Sequence, residues 1–122
     1  MANAINWFEI PASNYERAVK FYSQVLGAEL QPFESNGTKM AFFPFEPQKS
    51  IGGAITYGNG NEPSDKGSFI YLNGGEDLAV PLARVEKAGG KVVMPKTAIG
   101  ENGFMAIFKD TEGNRVALHS MK

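Results

Sequence analysis

One order of elements occurs twice in this chain, and that repetition limits the fold more than any other feature. The first copy opens with Trp7–Gly27, WFEIPASNYERAVKFYSQVLG. Ile5 to Ile10 alternates as a half-buried strand, with Phe8 and Ile10 on one side and Ile5, Trp7 and Glu9 on the other. Pro11 ends it. Ser13 stands three residues before Glu16, the spacing of a capping box. Tyr15, Ala18, Val19, Tyr22, Val25 and Leu26 then share one helical face, and Glu16–Lys20 is a favourable pair on the other. Gly27 is a natural stop. Three strands follow: Glu29–Phe33, an edge strand beside Pro32; Thr38–Phe45, after the Asn36-Gly37 turn; and Ser50–Tyr57, whose Gly52-Gly53 pair implies a bulge or a close backbone approach.

Gly58–Lys66, GNGNEPSDK, is polar and rich in turn formers, and reads as a joint. The same order then returns. Ser68–Asn73 is a strand. A helix capped by Glu76 or Asp77 runs to about Ala88 with Pro81 in its first turn, where a missing N–H costs least. After Gly89-Gly90 come strands at Lys91–Met94, Phe104–Phe108 and Asn114–His119, the last two joined by the DTEGN hairpin. The chain is expected to be one domain, with module 1 at about 1–58, a joint at about 59–66 and module 2 at about 67–122. A repeat of roughly 60 residues is too long for a solenoid period. Two copies of one βαβββ unit must bury their sheets together or share one curved surface.

Composition narrows function by exclusion. The net charge is -1 with no basic block, which argues against nucleic acid or a membrane surface as partner. With no Cys there is no disulfide, thiol nucleophile or thiolate-bound zinc, and a cytoplasmic location is expected. No signal peptide or membrane span is visible. No phosphate loop follows a strand, and no Ser/His/Asp triad is arguable.

FEIPASNYERAVKFYSQVLGAEL, AGGKVV and DTEGNRVALHS together resemble the vicinal oxygen chelate superfamily, which includes glyoxalase I, extradiol dioxygenases and bleomycin-resistance proteins. The resemblance covers essentially the whole chain. It implies an α+β fold: two βαβββ modules forming a curved, eight-stranded mixed sheet, with helices on the convex side and a cup on the concave side. It also implies a divalent metal held by side chains from the first and last strands of each module. Those positions fall here on Trp7, Ala54, Ser68 or Phe69, and Ala117. Trp, Ala and Phe offer no lone pair to a hard cation, and Ser is a poor substitute. No metal ligand and no cofactor are therefore expected, with a lost or relocated metal as the alternative.

Strand alternation lines the cup with other residues. Trp7, Thr56, Phe69, Tyr71 and Arg115 are the expected ligand contacts, with Met40, Phe42, Phe104 and Met105 as further wall candidates. Glu9 and His119 are the candidate acid–base groups: Glu9 is a carboxylate on a central strand, and His119 is the only side chain that naturally titrates near neutrality. The plainer readings are a core Trp7, an ion-paired Glu9 and a solvated His119. The loop Thr97–Gly103 is a candidate lid. The expected function is metal-free binding of a small apolar or aromatic molecule in the cup. The alternatives are a lyase or isomerase of glyoxalase type, and an assembly module without a ligand. A homodimer is expected under each reading.

Overall fold

The computed structural model describes residues 3–122. Module 1 consists of β1 (Trp7–Pro11), α1 (Tyr15–Leu26), β2 (Gln31–Ser35), β3 (Thr38–Phe42) and β4 (Gly52–Tyr57). Module 2 consists of β5 (Tyr71–Asn73), α2 (Ala79–Leu82), β6 (Lys91–Ala98), a 3-10 turn at Gly100–Asn102, β7 (Phe104–Lys109) and β8 (Arg115–Ser120). Both halves are βαβββ, as the repeat requires. The eight strands form two four-stranded mixed sheets, ordered β1-β4-β3-β2 and β5-β8-β7-β6. In each, the first strand lies parallel to the last and the other neighbours are antiparallel.

Helix α1 joins the two halves. Its buried residues are Ala18, Phe21, Tyr22 and Val25. Phe21 was missing from the expected stripe; it is buried because module 2 covers a second flank of the helix. The Tyr22 ring meets Phe43 at 5.6 Å and Phe108 at 6.3 Å, so one side chain touches both modules. Ile10, Ala41, Ile55, Leu72, Phe108 and Leu118 belong to the same core.

The start of α1 differs from the capping-box expectation. Asn14 is the N-cap, and its side chain accepts from the Arg17 N–H at 3.0 Å. Ser13 instead donates its N–H and hydroxyl to Glu112. A carboxylate is the stronger acceptor for these groups. Glu16 lies near Lys39, at 3.8 Å, rather than reaching back to the cap. The stop is as expected: Gly27 is left-handed, with φ 65.

Several boundaries shift: β1 begins at Trp7 rather than Ile5, β3 ends at Phe42 rather than Phe45, and β4 begins at Gly52 rather than Ser50. The α-helical part of α2 ends at Leu82, six residues short of the expected Ala88. Pro81 lacks an N–H, and the chain continues in tighter turns, with Arg84 N–H on Pro81 O and Val85 N–H on Leu82 O. Strand β6 runs past Met94 to Ala98 because register shifts between Met94 and Thr97 accommodate Pro95. Strand β5 begins at Tyr71 rather than Ser68, and β2 lies two residues later than expected but is an edge strand. The Gly52-Gly53 pair is a close approach: a Cβ on Gly53 would lie 2.3 Å from the Phe8 ring.

Candidate functional site

Each sheet turns one face to the helices and leaves the other open. On the first sheet, register places Trp7 opposite Gly52, Glu9 opposite Ala54, and Phe42 opposite Ala54 from the other side. Small residues in β4 leave room for rings. Trp7 meets Phe42 and Phe45 edge-on, both at 5.6 Å, and Phe33 stacks on Phe42. The Trp7 indole N–H donates to Glu9 Oε2 at 3.2 Å, and the Asn59 amide reaches Oε1 at 3.5 Å. Thr56, two residues beyond Ala54, is fully buried, and its hydroxyl has no hydrogen-bond partner among the described residues. Buried hydroxyls are almost always paired, so this one calls for an explanation.

On the second sheet, Tyr71 lies opposite Ala117 and Asn73 opposite His119. Phe69 and Tyr71 are 5.1 Å apart, and the Arg115 guanidinium lies over the Phe69 ring at 4.9 Å. His119 Nε2 is 2.6 Å from the Asn102 carbonyl. A carbonyl only accepts, so this nitrogen carries the proton and His119 ties down the Thr97–Gly103 loop. His119 also borders a hollow of about 440 Å³ with Tyr71 and Asn73.

The expected residues therefore fall into two groups. Trp7, Glu9 and Thr56 share one sheet; Phe69, Tyr71, Arg115 and His119 share the other. Among the described residues, no hydrogen bond joins Glu9 to His119. Glu9 is held by Trp7 and Asn59, and His119 by Asn102. Phe42 and Met40 belong to the open face of the first sheet, opposite Ala54 and Thr56. Met105 lies opposite His119, whereas Phe104 packs on the core.

A cleft of about 1150 Å³ lies on the helix side of the fold, where sequence reasoning did not look. It runs between module 1 (Ile5, Phe8, Phe43, Ile51) and the start of α2 (Val80, Pro81). Of the expected contacts only Phe69 and Tyr71 border it.

Sequence reasoning also missed a buried polar cluster at the module junction. Asp110 accepts from the Tyr22 hydroxyl at 2.7 Å and from the Glu112 and Asn114 N–H groups. Asn114 donates to Pro11 O and accepts from the Ser64 N–H. Glu112, its side chain fully covered, takes the Arg17 guanidinium at 2.7 Å together with the Ser13 and Asn14 N–H groups. Burial pushes Asp110 up and pushes the Tyr22 phenol well up, the latter reinforced by Asp110. Burial also acts to raise Glu112, but the bonds from Arg17, Asn14, Thr111 and Ser13 outweigh it and hold the carboxyl at about 2. The sequence signal was the DTEGN hairpin itself. Nothing in its spacing pointed to Arg17.

Among the described residues, no group of three or more His, Asp or Glu side chains is disposed to hold a metal ion. No helix of the described residues is long and apolar enough to cross a membrane.

Comparison with known proteins gives a consistent family. The model of the Glyoxalase/Bleomycin resistance protein/Dioxygenase superfamily matches residues 4–118. A glyoxylase-like domain-containing protein from Didymella fabae is 34% identical over 123 residues, covering 93% of this chain and 91% of the relative. Among solved structures, glyoxalase I from Zea mays superposes with TM-score 0.75 at 23% identity, over 95% of this chain but 45% of the maize chain. This chain thus spans under half of that protein. A glyoxalase/bleomycin resistance protein from Albidiferax ferrireducens gives TM-score 0.72 at 16% identity, over 95% and 97% of the two chains. At those identities the structural likeness speaks to the fold.

Proposed function

The chain belongs to the Glyoxalase/Bleomycin resistance protein/Dioxygenase superfamily, and from that premise we propose that it binds a small apolar or aromatic molecule, without a metal, against its open sheet faces. The observation that carries this reading is the aromatic furnishing of both faces. Trp7, Phe42 and Phe45 cluster over Gly52 and Ala54 on one, and Phe69 and Tyr71 border Ala117 on the other. Trp7 is 37% exposed and Tyr71 51%, so both rings are available. Stacking and burial suit such a surface.

The donor set supports the metal-free part. The metal positions implied by the family carry Trp7, Ala54, Ser68 or Phe69, and Ala117. The Trp7 indole nitrogen is a donor already committed to Glu9. A hard divalent ion needs oxygen or imidazole ligands, which these positions do not supply.

The open faces also fit a homodimer in which the first-sheet face of one copy meets the second-sheet face of the other. Glu9 is the one charged side chain at the register positions of the first open face. Arg115, Lys109 and Lys91 occupy those of the second. A cytoplasmic location remains the reading that the absence of Cys suggests.

A glyoxalase-type lyase or isomerase is the second reading. It is favoured by the oriented Glu9 carboxylate and by the His119 ring, whose Nδ1 remains available for a proton. Glu9→Gln abolishes any turnover if Glu9 moves a proton, and full activity retires that role.

A thermal-shift screen of aromatic compounds, with and without EDTA, tests the binding reading. Stabilisation indifferent to EDTA is expected. A stoichiometric divalent ion retained through equilibrium dialysis, or stabilisation that EDTA removes, would contradict it.

A further inference from the structure

We propose that Asn59 is a self-modification site: it loses its side-chain amide by ring closure onto the Gly60 nitrogen, which adds a negative charge beside Glu9. Asn-Gly occurs four times in the chain, at Asn36-Gly37, Asn59-Gly60, Asn73-Gly74 and Asn102-Gly103. Glycine lets the preceding side chain reach its nitrogen, because no Cβ stands in the way. The Gly60 nitrogen bonds to Asn59 Cγ, the Cγ–Nδ2 bond breaks, and ammonia leaves with the proton that the Gly60 nitrogen gives up. Water then opens the cyclic imide at one of its two carbonyls, giving aspartate or isoaspartate. Nothing is oxidised or reduced.

The structure separates the four sites. Gly74 is buried and its N–H donates to His119 O at 2.7 Å, while Asn73 Oδ1 accepts from the Gly75 N–H at 2.8 Å. Gly103 is also buried and its N–H donates to Gly100 O at 3.1 Å. In both, the attacking nitrogen is engaged. Asn36 and Gly37 are exposed, but they form the two-residue turn between Ser35 and Thr38, which pair directly. Swinging Gly37 N onto Asn36 Cγ rotates the backbone inside that turn and breaks it.

Asn59 meets none of these restraints. Asn59 and Gly60 are exposed, and the stretch between β4 and β5 holds no helix or strand. The Gly60 N–H has no partner among the described residues, and a Cβ there would meet nothing within 4 Å. The Asn61 N–H donates to Asn59 Oδ1 at 3.2 Å. That oxygen becomes negative as the ring closes, and a donor already aimed at it lowers the barrier. Asn59 Nδ2 faces Glu9 Oε1 at 3.5 Å, so the reaction replaces a donor with a like charge. Repulsion then displaces Glu9, whose Oε2 accepts the Trp7 indole N–H.

The test is peptide mapping by mass spectrometry of the full chain held in mildly alkaline buffer, folded and in urea. In the folded protein Asn59 is expected to lose its amide while Asn36, Asn73 and Asn102 keep theirs; in urea the four are expected to react alike. Conversion of any of the other three ahead of Asn59 in the folded protein, or the same ranking in urea, overturns the assignment. Asn59→Asp sets the product's charge in place from the start and is expected to shift the emission of Trp7, the only Trp in the chain. Unchanged emission overturns the link to Glu9.

Discussion

The two module junctions are built from matching elements and closed in different ways. At one, the β7–β8 hairpin Asp110–Asn114 is seated on the start of α1, where Glu112 collects Ser13, Asn14 and Arg17. At the other, the corresponding β3–β4 connection faces the start of α2 and makes no such clasp. It folds on itself, with Glu46 N–H on Ser50 Oγ at 2.8 Å and Ser50 N–H on Glu46 O. Phe43, Pro44, Ser50 and Ile51 are left bordering the 1150 Å³ cleft. A repeated topology therefore does not carry its side-chain chemistry with it. The helices differ as well: α1 is capped by Asn14 and runs twelve residues, while α2, with Pro81 inside it, has four regular residues.

The sharpest break in this asymmetry is Asp110→Ala. It strands the Tyr22 hydroxyl and two hairpin N–H groups inside the protein. A loss of about 3 kcal/mol in urea unfolding is expected. Glu112→Gln comes next, at about 2 kcal/mol, because charge-assisted bonds from Arg17 and two backbone N–H groups weaken together. It also carries a pH signature. The folded carboxyl is held at about 2, below its ordinary 4.5. Its stabilisation is thus complete above 4.5 and is lost as pH falls toward 2. Asp110, shifted upward, opposes that trend in the same region. Glu112→Gln should flatten the acid limb of a stability–pH curve between those values, and an unchanged limb would remove Glu112 from the clasp.

Smaller effects test the open regions. Thr56→Val replaces a buried hydroxyl, unpartnered among the described residues, with a methyl of the same shape, and a gain of about 1 kcal/mol is expected in urea unfolding. Val80→Ser, at an exposed position on the cleft, should change stability by less than about 0.5 kcal/mol. A large loss there would mean that the cleft is closed in solution.

What the sequence revealed follows from the range of the forces involved. The βαβββ order, the Gly27 stop and the Asn36-Gly37 turn are local, and both turn residues have positive φ, 51 and 81. Alternation correctly separated Phe8 and Ile10 from Trp7 and Glu9, and put Phe69 beside Tyr71. What stayed hidden was non-local. Asn14 takes the capping role, and Ser13 donates instead to Glu112, ninety-nine residues away. Phe21 is buried by the opposite module. Glu9 and His119 share a chemistry but lie on different sheets, each with its own partner. Alternation assigns faces; it does not say which faces meet.

On the proposed reading, Trp7 walls a ligand surface at a position where the family implies a metal ligand. Titrating an aromatic compound against Trp7 fluorescence, with and without EDTA, tests it most directly. A saturable change that is the same in both conditions is expected. An indole spectrum unmoved by saturating ligand, or a response that disappears with EDTA, would contradict it.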